Sequence, residues 1–165
     1  MYGPRAVVTE VEGSQPTRRI VIVDAGTLAG WRRPAPSLAQ FHQALLHLTS
    51  QHRSEKVAVL ADPALKHQLP PSEQDEFDAD IASSVLVCAP AGTIEGSDGF
   101  FAAVVAQCER AGNDVVIVTD RAYPFGRLVP LRRDGKRWTF DLDGAAPAPE
   151  GARRQRAARP ARRRR

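Results

Sequence analysis

Sulfur is nearly absent from this chain: two cysteines and one methionine in 165 residues. Cys88 and Cys108 stand in apolar surroundings with no partner at metal-ligand spacing, so they read as buried free thiols of a reducing compartment. No apolar run approaches the ~20 residues that cross a bilayer, and no signal-peptide core is present. A cytoplasmic location with no membrane partner is therefore expected. No glycine-rich phosphate loop follows any apolar run, which argues against a nucleotide-binding module. His42, His47, His52 and His67 do not pair at the i, i+4 spacing of a helical zinc motif with a suitable acid, and read as exposed helix residues. Internal repeats are also missing.

What the chain does have is an uneven charge. The net charge is +4, yet the last 14 residues hold eight arginines and no acid: Arg153, Arg154, Arg156, Arg159, Arg162, Arg163, Arg164 and Arg165. The other 151 residues carry 15 basic against 19 acidic side chains. The body is thus mildly acidic, and the tail, which can bury no apolar surface, is fitted to attract a phosphate backbone or to remain solvated.

Length and a 42% hydrophobic content allow one domain. Residues 1–17 read as a flexible arm or an added edge strand, 18–144 as the folded domain, and 145–165 as a linker followed by an unstructured arginine tail. Ile20–Val23 is a β-branched run ending in Asp24, the pattern of a parallel strand buried on both faces. Leu38, Phe41, Leu45 and Leu48 recur at helical spacing to about His52. Val57–Ala61 is a second strand, ending in Asp62 before Pro63. Ser72 and Asp75 are placed as a capping box for a helix through Ile81. Ser84–Cys88 reads as a third strand, and Ser97 as the cap of a helix with Phe101, Val104, Val105 and Cys108 on one face. Asp114–Thr119 is a fourth strand, ending in Asp120. Asp134-Gly135 suits the turn of a terminal hairpin between 127–133 and 136–142. Alternating strands and helices predict a parallel sheet wrapped on both faces, with ligands beyond the carboxyl ends of its strands.

Asp24 and Asp120 project from that edge if their strands are neighbours, and Asp98 falls in the first turn of the adjoining helix. Crowded carboxylates repel unless a cation relieves them, and hard oxygen ligands suit Mg²⁺ or Mn²⁺. Each acid alone has an ordinary use, as a turn, cap or first-turn residue. Glu95 is a direct ligand, a residue bonded to one, or a solvated loop acid. Asp62 supports the site or simply starts a turn. Thr27 bonds a carboxylate or phosphate, or caps a local turn. Trp31, beside Arg32 and Arg33, stacks on a base or anchors its loop. Trp138 and Phe140 alternate as sheet-packing residues. Arg121 and Tyr123, just past Asp120, are placed to touch substrate.

These segments resemble the PIN-like ribonuclease superfamily, in particular the NYN branch that includes the regnase-type endoribonucleases, over roughly Arg19 to Asp143. Ile20-Val21-Ile22-Val23-Asp24-Ala25-Gly26-Thr27 is similar to the family's strand followed by Asp-Gly-x-Asn. Val85 to Pro90, then Gly96-Ser97-Asp98-Gly99-Phe100, is similar to its strand, loop and acid-headed helix. Val115-Val116-Ile117-Val118-Thr119-Asp120 resembles its strand ending in Ser-Asn-Asp, and Leu128 to Leu142 its hairpin. Thr27 stands where Asn is common, Ser97 where the regnase branch has a further Asp, and Asp120 lacks a preceding Asn. The resemblance implies a PIN-like three-layer α/β sandwich with a central, mostly parallel sheet and a C-terminal β-hairpin. It also implies that Asp24, Asp98 and Asp120 bind Mg²⁺ or Mn²⁺, with Thr27, Glu95, Ser97 and Asp62 in support, to hydrolyse single-stranded RNA. A catalytically silent RNA-binding or scaffold domain on the same fold is the alternative.

Overall fold

A computed structural model describes residues 18–147. The eight tail arginines, the residue 1–17 arm and most of the expected linker lie outside the described residues.

The continuous apolar runs form the middle of one sheet. β1 (Arg19–Asp24), β2 (Lys56–Ala61), β3 (Val87–Cys88), β4 (Asp114–Val118), β5 (Arg127–Val129) and β8 (Ala146–Pro147) lie in the order β3-β2-β1-β4-β5-β8. All neighbours are parallel except β8 against β5. Ile20 to Val23 are almost wholly buried because helices cover both faces. Alternation divides the side chains. Val21, Val23, Val116 and Val118 pack beneath α1 (Ala25–Gly30), α2 (Leu38–Gln51), α3 (Leu65–Gln68) and α4 (Pro71–Ala82). Ile20, Ile22, Val115 and Ile117 face α5 (Gly96–Arg110). The three-layer arrangement with a mostly parallel sheet is therefore present.

The chain moves outward from β1 through β2 to β3, then crosses back to place β4 on the other side of β1. Strand order reverses between β1 and β4, and the crevice beyond their carboxyl ends is where such sheets bind ligands. In the register, Val23 is level with Val118, so Asp24 stands beside Thr119, one residue before Asp120.

Several local details differ from the sequence expectation. The Ser72–Asp75 capping box is not made: α4 starts with Pro71 after Pro70 and has no side-chain cap. Glu73 instead reaches the start of α2, accepting from Leu38 N at 2.7 Å and from Ser37 Oγ at 3.3 Å. The third strand shrinks to two residues because Ser84 turns at φ 61° and the Val85 N–H goes to Asp80 O. Ser97 does not cap α5; Glu95 does so from a left-handed φ of 63°, without a side-chain cap bond. Arg127–Val129 belongs to the main sheet beside β4 rather than to the hairpin. The hairpin is β6 (Arg132–Asp134) with β7 (Arg137–Thr139), turning at Gly135 and Lys136 rather than at Asp134-Gly135. Gly135 takes φ 55° at the first loop position, where glycine carries no Cβ penalty. Ala146 and Pro147, within the expected linker, pair with β5.

The histidines are also less exposed than expected, His67 apart. His47 Nδ1 accepts from Trp138 N at 3.0 Å, His52 Nε2 donates to Phe140 O at 2.8 Å, and Gln51 Nε2 donates to Trp138 O at 2.7 Å. α2 thus clamps the backbone of β7, and His42 bonds Asp80 at 2.6 Å. Trp138 is fully buried, stacks with Phe140 and packs on Trp31. Trp138→Ala is expected to cost roughly 3–5 kcal/mol, as for other buried aromatics. A chemical-unfolding curve checks this, and a loss below about 1 kcal/mol would show that the indole does not anchor the hairpin.

Candidate active site at the carboxyl edge of the sheet

Asp24 ends the central strand and is 4% exposed. A buried carboxylate needs partners, and Asp24 has four donors. Thr27 N gives 3.3 Å to Oδ1. Thr27 Oγ1 at 2.9 Å, Thr119 Oγ1 at 3.1 Å and Tyr123 OH at 3.1 Å all meet Oδ2. The first of these bonds makes Asp24 the N-cap of α1, so Thr27 both bonds the carboxylate and shapes the local turn. Oδ1, with one long bond, is the oxygen left for a further partner.

Around it lies a cleft of about 360 Å³ lined by Asp24, Thr27, Asp62, Ser97, Asp120 and Arg121, among others. Asp120 is exposed there. Asp62 accepts from Ala64 N at 2.7 Å, the turn-starting role, while also lining the cleft. Glu95 serves as the left-handed N-cap residue of α5.

Asp98 is where the geometry departs from the expected trio. Its Oδ1 accepts from Arg121 NH2 at 2.8 Å, with both side chains about half exposed. The NH1 of Arg121 donates to Tyr123 OH at 3.0 Å, and that hydroxyl donates to Asp24. A chain of bonds thus runs Asp98–Arg121–Tyr123–Asp24. Burial works against the Arg121 charge, but Tyr123, Asp98 and Asp24 outweigh it and raise the pKa. Burial, and then the Asp24 charge, push the Tyr123 phenol well above its ordinary value although Arg121 opposes them. Tyr123 therefore remains a donor at neutral pH. Among the described residues no three His, Cys, Asp or Glu side chains stand close enough to share a metal ion. In this structure the Arg121 guanidinium engages Asp98, and three hydroxyls fill one oxygen of Asp24. What the cleft does offer is oxygen donors on separate elements. That suits an ion holding most of its shell as water, with one or two carboxylates.

Sequence reasoning missed Thr119 and Tyr123 as supports of Asp24. Parallel register with β1 was the available signal for Thr119. Tyr123 is 3% exposed and packs on Phe101 and Phe125, so it holds the carboxylate from behind rather than meeting substrate. Trp31 packs on Trp138 at 5.1 Å between ring centroids, with the Arg32 guanidinium over its indole.

Gly99 sets the approach of α5. A Cβ there would overlap the Ile94 carbonyl oxygen and crowd Glu95 Cβ at 3.1 Å. Gly99→Ala must shift the turn that carries Ser97 and Asp98, at an expected cost of about 1–3 kcal/mol. Thermal unfolding measures it, and a variant as stable as wild type would contradict the close approach.

No family model matches this chain, and no curated protein matches it. Among solved structures, nuclear proteinaceous RNase P 2 (PRORP2) from A. thaliana is similar, with a TM-score of 0.55 and 12% sequence identity. The match covers 78% of this chain and 30% of that one, so the chain spans less than a third of that protein's length. No helix among the described residues is long and apolar enough to cross a membrane. At 12% identity the likeness is one of fold and does not reach the regnase branch: the chain shares a mixed α/β arrangement with a central, mostly parallel sheet and a C-terminal antiparallel hairpin.

Proposed function

We propose that this domain, spanning about 18–144, is a metal-dependent endoribonuclease that cuts single-stranded RNA in the Asp24 cleft, using Mg²⁺ or Mn²⁺. The observation that carries the reading is the position of Asp24. It is a buried carboxylate at the strand-order reversal, fixed by four donors, with Asp120 in the same cleft. Orienting one acid with that many bonds fits a group whose place matters to chemistry. The PIN/NYN-like fold and its similarity to an RNase P add support.

Asp24 through Oδ1, Asp120, and Asp98 once Arg121 lets go are the residues that would hold the ion. Bound there, a divalent ion supplies an activated water and neutralises charge building on the phosphate. Thr27, Thr119 and Tyr123 keep Asp24 oriented. Arg121, half exposed, is able to exchange Asp98 for a phosphate oxygen, to which a guanidinium is well matched. Ser97 and Asp62 border the same space, and Glu95 sets the turn before Ser97. The arginines from Arg153 to Arg165 hold the strand nearby through its backbone charge.

One observation favours a second reading, a silent RNA-binding domain: the Asp98–Arg121 ion pair already supplies a cation between the acids. Incubation of the full chain with end-labelled single-stranded RNA separates the two. A nuclease should cleave in Mn²⁺ and stop in EDTA. Binding without cleavage at any Mn²⁺ concentration would return the silent reading.

A further inference from the structure

Next to the Asp24 cleft lies a second one, which plays no part in the chemistry proposed for the first. Gly30 lines the first, and the next residue, Trp31, lines the second, a hollow of about 330 Å³ shared with Arg32, Arg33, Gln40, Arg133 and Gly135. An adjoining hollow is bordered by Arg33, Gln40 and Arg133 again. Two short segments meet here, residues 31–35 after α1 and residues 132–137 of the hairpin; Arg32, Arg33 and Arg133 line the hollows, while Arg132 and Arg137 alternate onto the opposite face of the hairpin. Together the two segments hold six cations, Arg32, Arg33, Arg132, Arg133, Lys136 and Arg137, against the single acid Asp134. All six are exposed except Arg133, which is half-buried.

The arrangement is built rather than incidental. Gln40 is 7% exposed, and its Nε2 donates to Leu28 O at 2.8 Å and Trp31 O at 3.0 Å. Its Oε1 accepts from Arg133 NH1 at 3.2 Å, across 93 positions of sequence. One buried amide therefore fixes the loop after α1 and the hairpin arginine on each other. Arg133 also donates from Nε to Gly135 O at 2.7 Å and lies over the Trp138 ring, while Arg33 donates to Ala35 O. These bonds go to neutral acceptors, so the positive charge is held in place without being cancelled. No carboxylate among the described residues pairs with Arg132, Lys136 or Arg137.

We propose that this cleft binds the phosphate backbone of the single-stranded RNA that continues out of the Asp24 cleft. The inference rests on the nuclease reading for the identity of the polymer, and adds where its flanking phosphates go. Held guanidinium groups match phosphate oxygens. The Trp31 indole, packed on Trp138 and covered by the Arg32 guanidinium, holds that cation at the rim of the cleft.

The test uses the full chain, tail included, and a fluorescent single-stranded RNA oligomer in EDTA, with affinity read by anisotropy across a KCl series. Removing one phosphate-binding cation should lower the slope of log affinity against log salt by about 0.7. The double variant Arg33→Gln/Arg133→Gln is expected to lower it by about 1.4 and weaken binding several-fold. Arg53→Gln/Lys56→Gln, the same charge change at the amino edge of β2, should leave the slope unaltered. Arg33→Gln alone, which gives up a bond to a backbone carbonyl in its own loop, should give half the change even if loss of Arg133 disturbs the hairpin. Equal slopes in all variants, or equal falls in the patch and control doubles, would overturn the proposal. Failure of the nuclease reading is read separately: Mn²⁺-dependent cleavage would be absent while the slope change persists.

Discussion

Asp24→Asn is expected to lower Mn²⁺-dependent RNA cleavage by at least about a hundredfold, because it removes the charge of the acid that anchors the cleft. The substitution keeps the side chain's size and leaves an oxygen to accept from Thr27 N, so α1 retains its cap. Its new NH₂ replaces the oxygen on which Thr27, Thr119 and Tyr123 converge. Hydroxyls can rotate to accept instead, and the fold should lose only about 1–3 kcal/mol. Asp24→Ala leaves all four donors facing nothing and loses the cap as well, so it should cost more than Asn does. Cleavage assays on protein verified as folded by circular dichroism separate the two effects. Cleavage in Asp24→Asn near the wild-type rate would remove Asp24 from the chemistry.

Arg121→Gln is expected to act in the opposite direction on the metal. The Asp98–Arg121 pair is about half exposed on both sides, and exposed pairs contribute only about 0–1 kcal/mol. Stability should therefore stay within about 1 kcal/mol of wild type. Releasing Asp98 and removing a positive charge near Asp24 should tighten Mn²⁺ binding about tenfold, or 1.4 kcal/mol. Arg121→Lys, which keeps the charge, should retain the weaker binding. If Arg121 also takes a phosphate oxygen, Arg121→Gln will weaken RNA affinity while the metal binds more tightly, a split that simple damage to the site would not produce. Calorimetric titration with Mn²⁺ checks the first effect, and no change in affinity would mean that the guanidinium does not compete with the ion.

Much of the scaffold could be read from residue spacing. β1, β2 and β4 are continuous apolar runs, and α2 has a clear helical period, because burial on two faces or one leaves a period in the sequence. The same logic put Asp24 and Asp120 at one sheet edge. Elements held by tertiary contacts were not legible. α1 is six residues long with Gly26 and Gly30 inside it, poor helix formers that hide a helix resting on the Asp24 cap. β5 joins β4 after Gly126, whose φ of 68° and close approach to Ile117 place it there. The pairing of Asp98 with Arg121, 23 positions on, leaves no periodic trace, nor does the approach of Tyr123 to Asp24. The histidines of α2 looked like a solvated face, and became the clamp on β7 only once the hairpin folded over them. The acids were thus visible in the sequence, while the cation and hydroxyls that meet them depend on three-dimensional packing.

Equilibrium Mn²⁺ binding to the full chain, followed by loss of the free-ion electron paramagnetic resonance signal, reports most directly on whether Asp24 anchors a cation. Saturable binding is expected for the wild type, tighter binding for Arg121→Gln, and none for Asp24→Asn. Saturable binding that survives Asp24→Asn, or its absence from both the wild type and Arg121→Gln, would contradict a metal site built on Asp24.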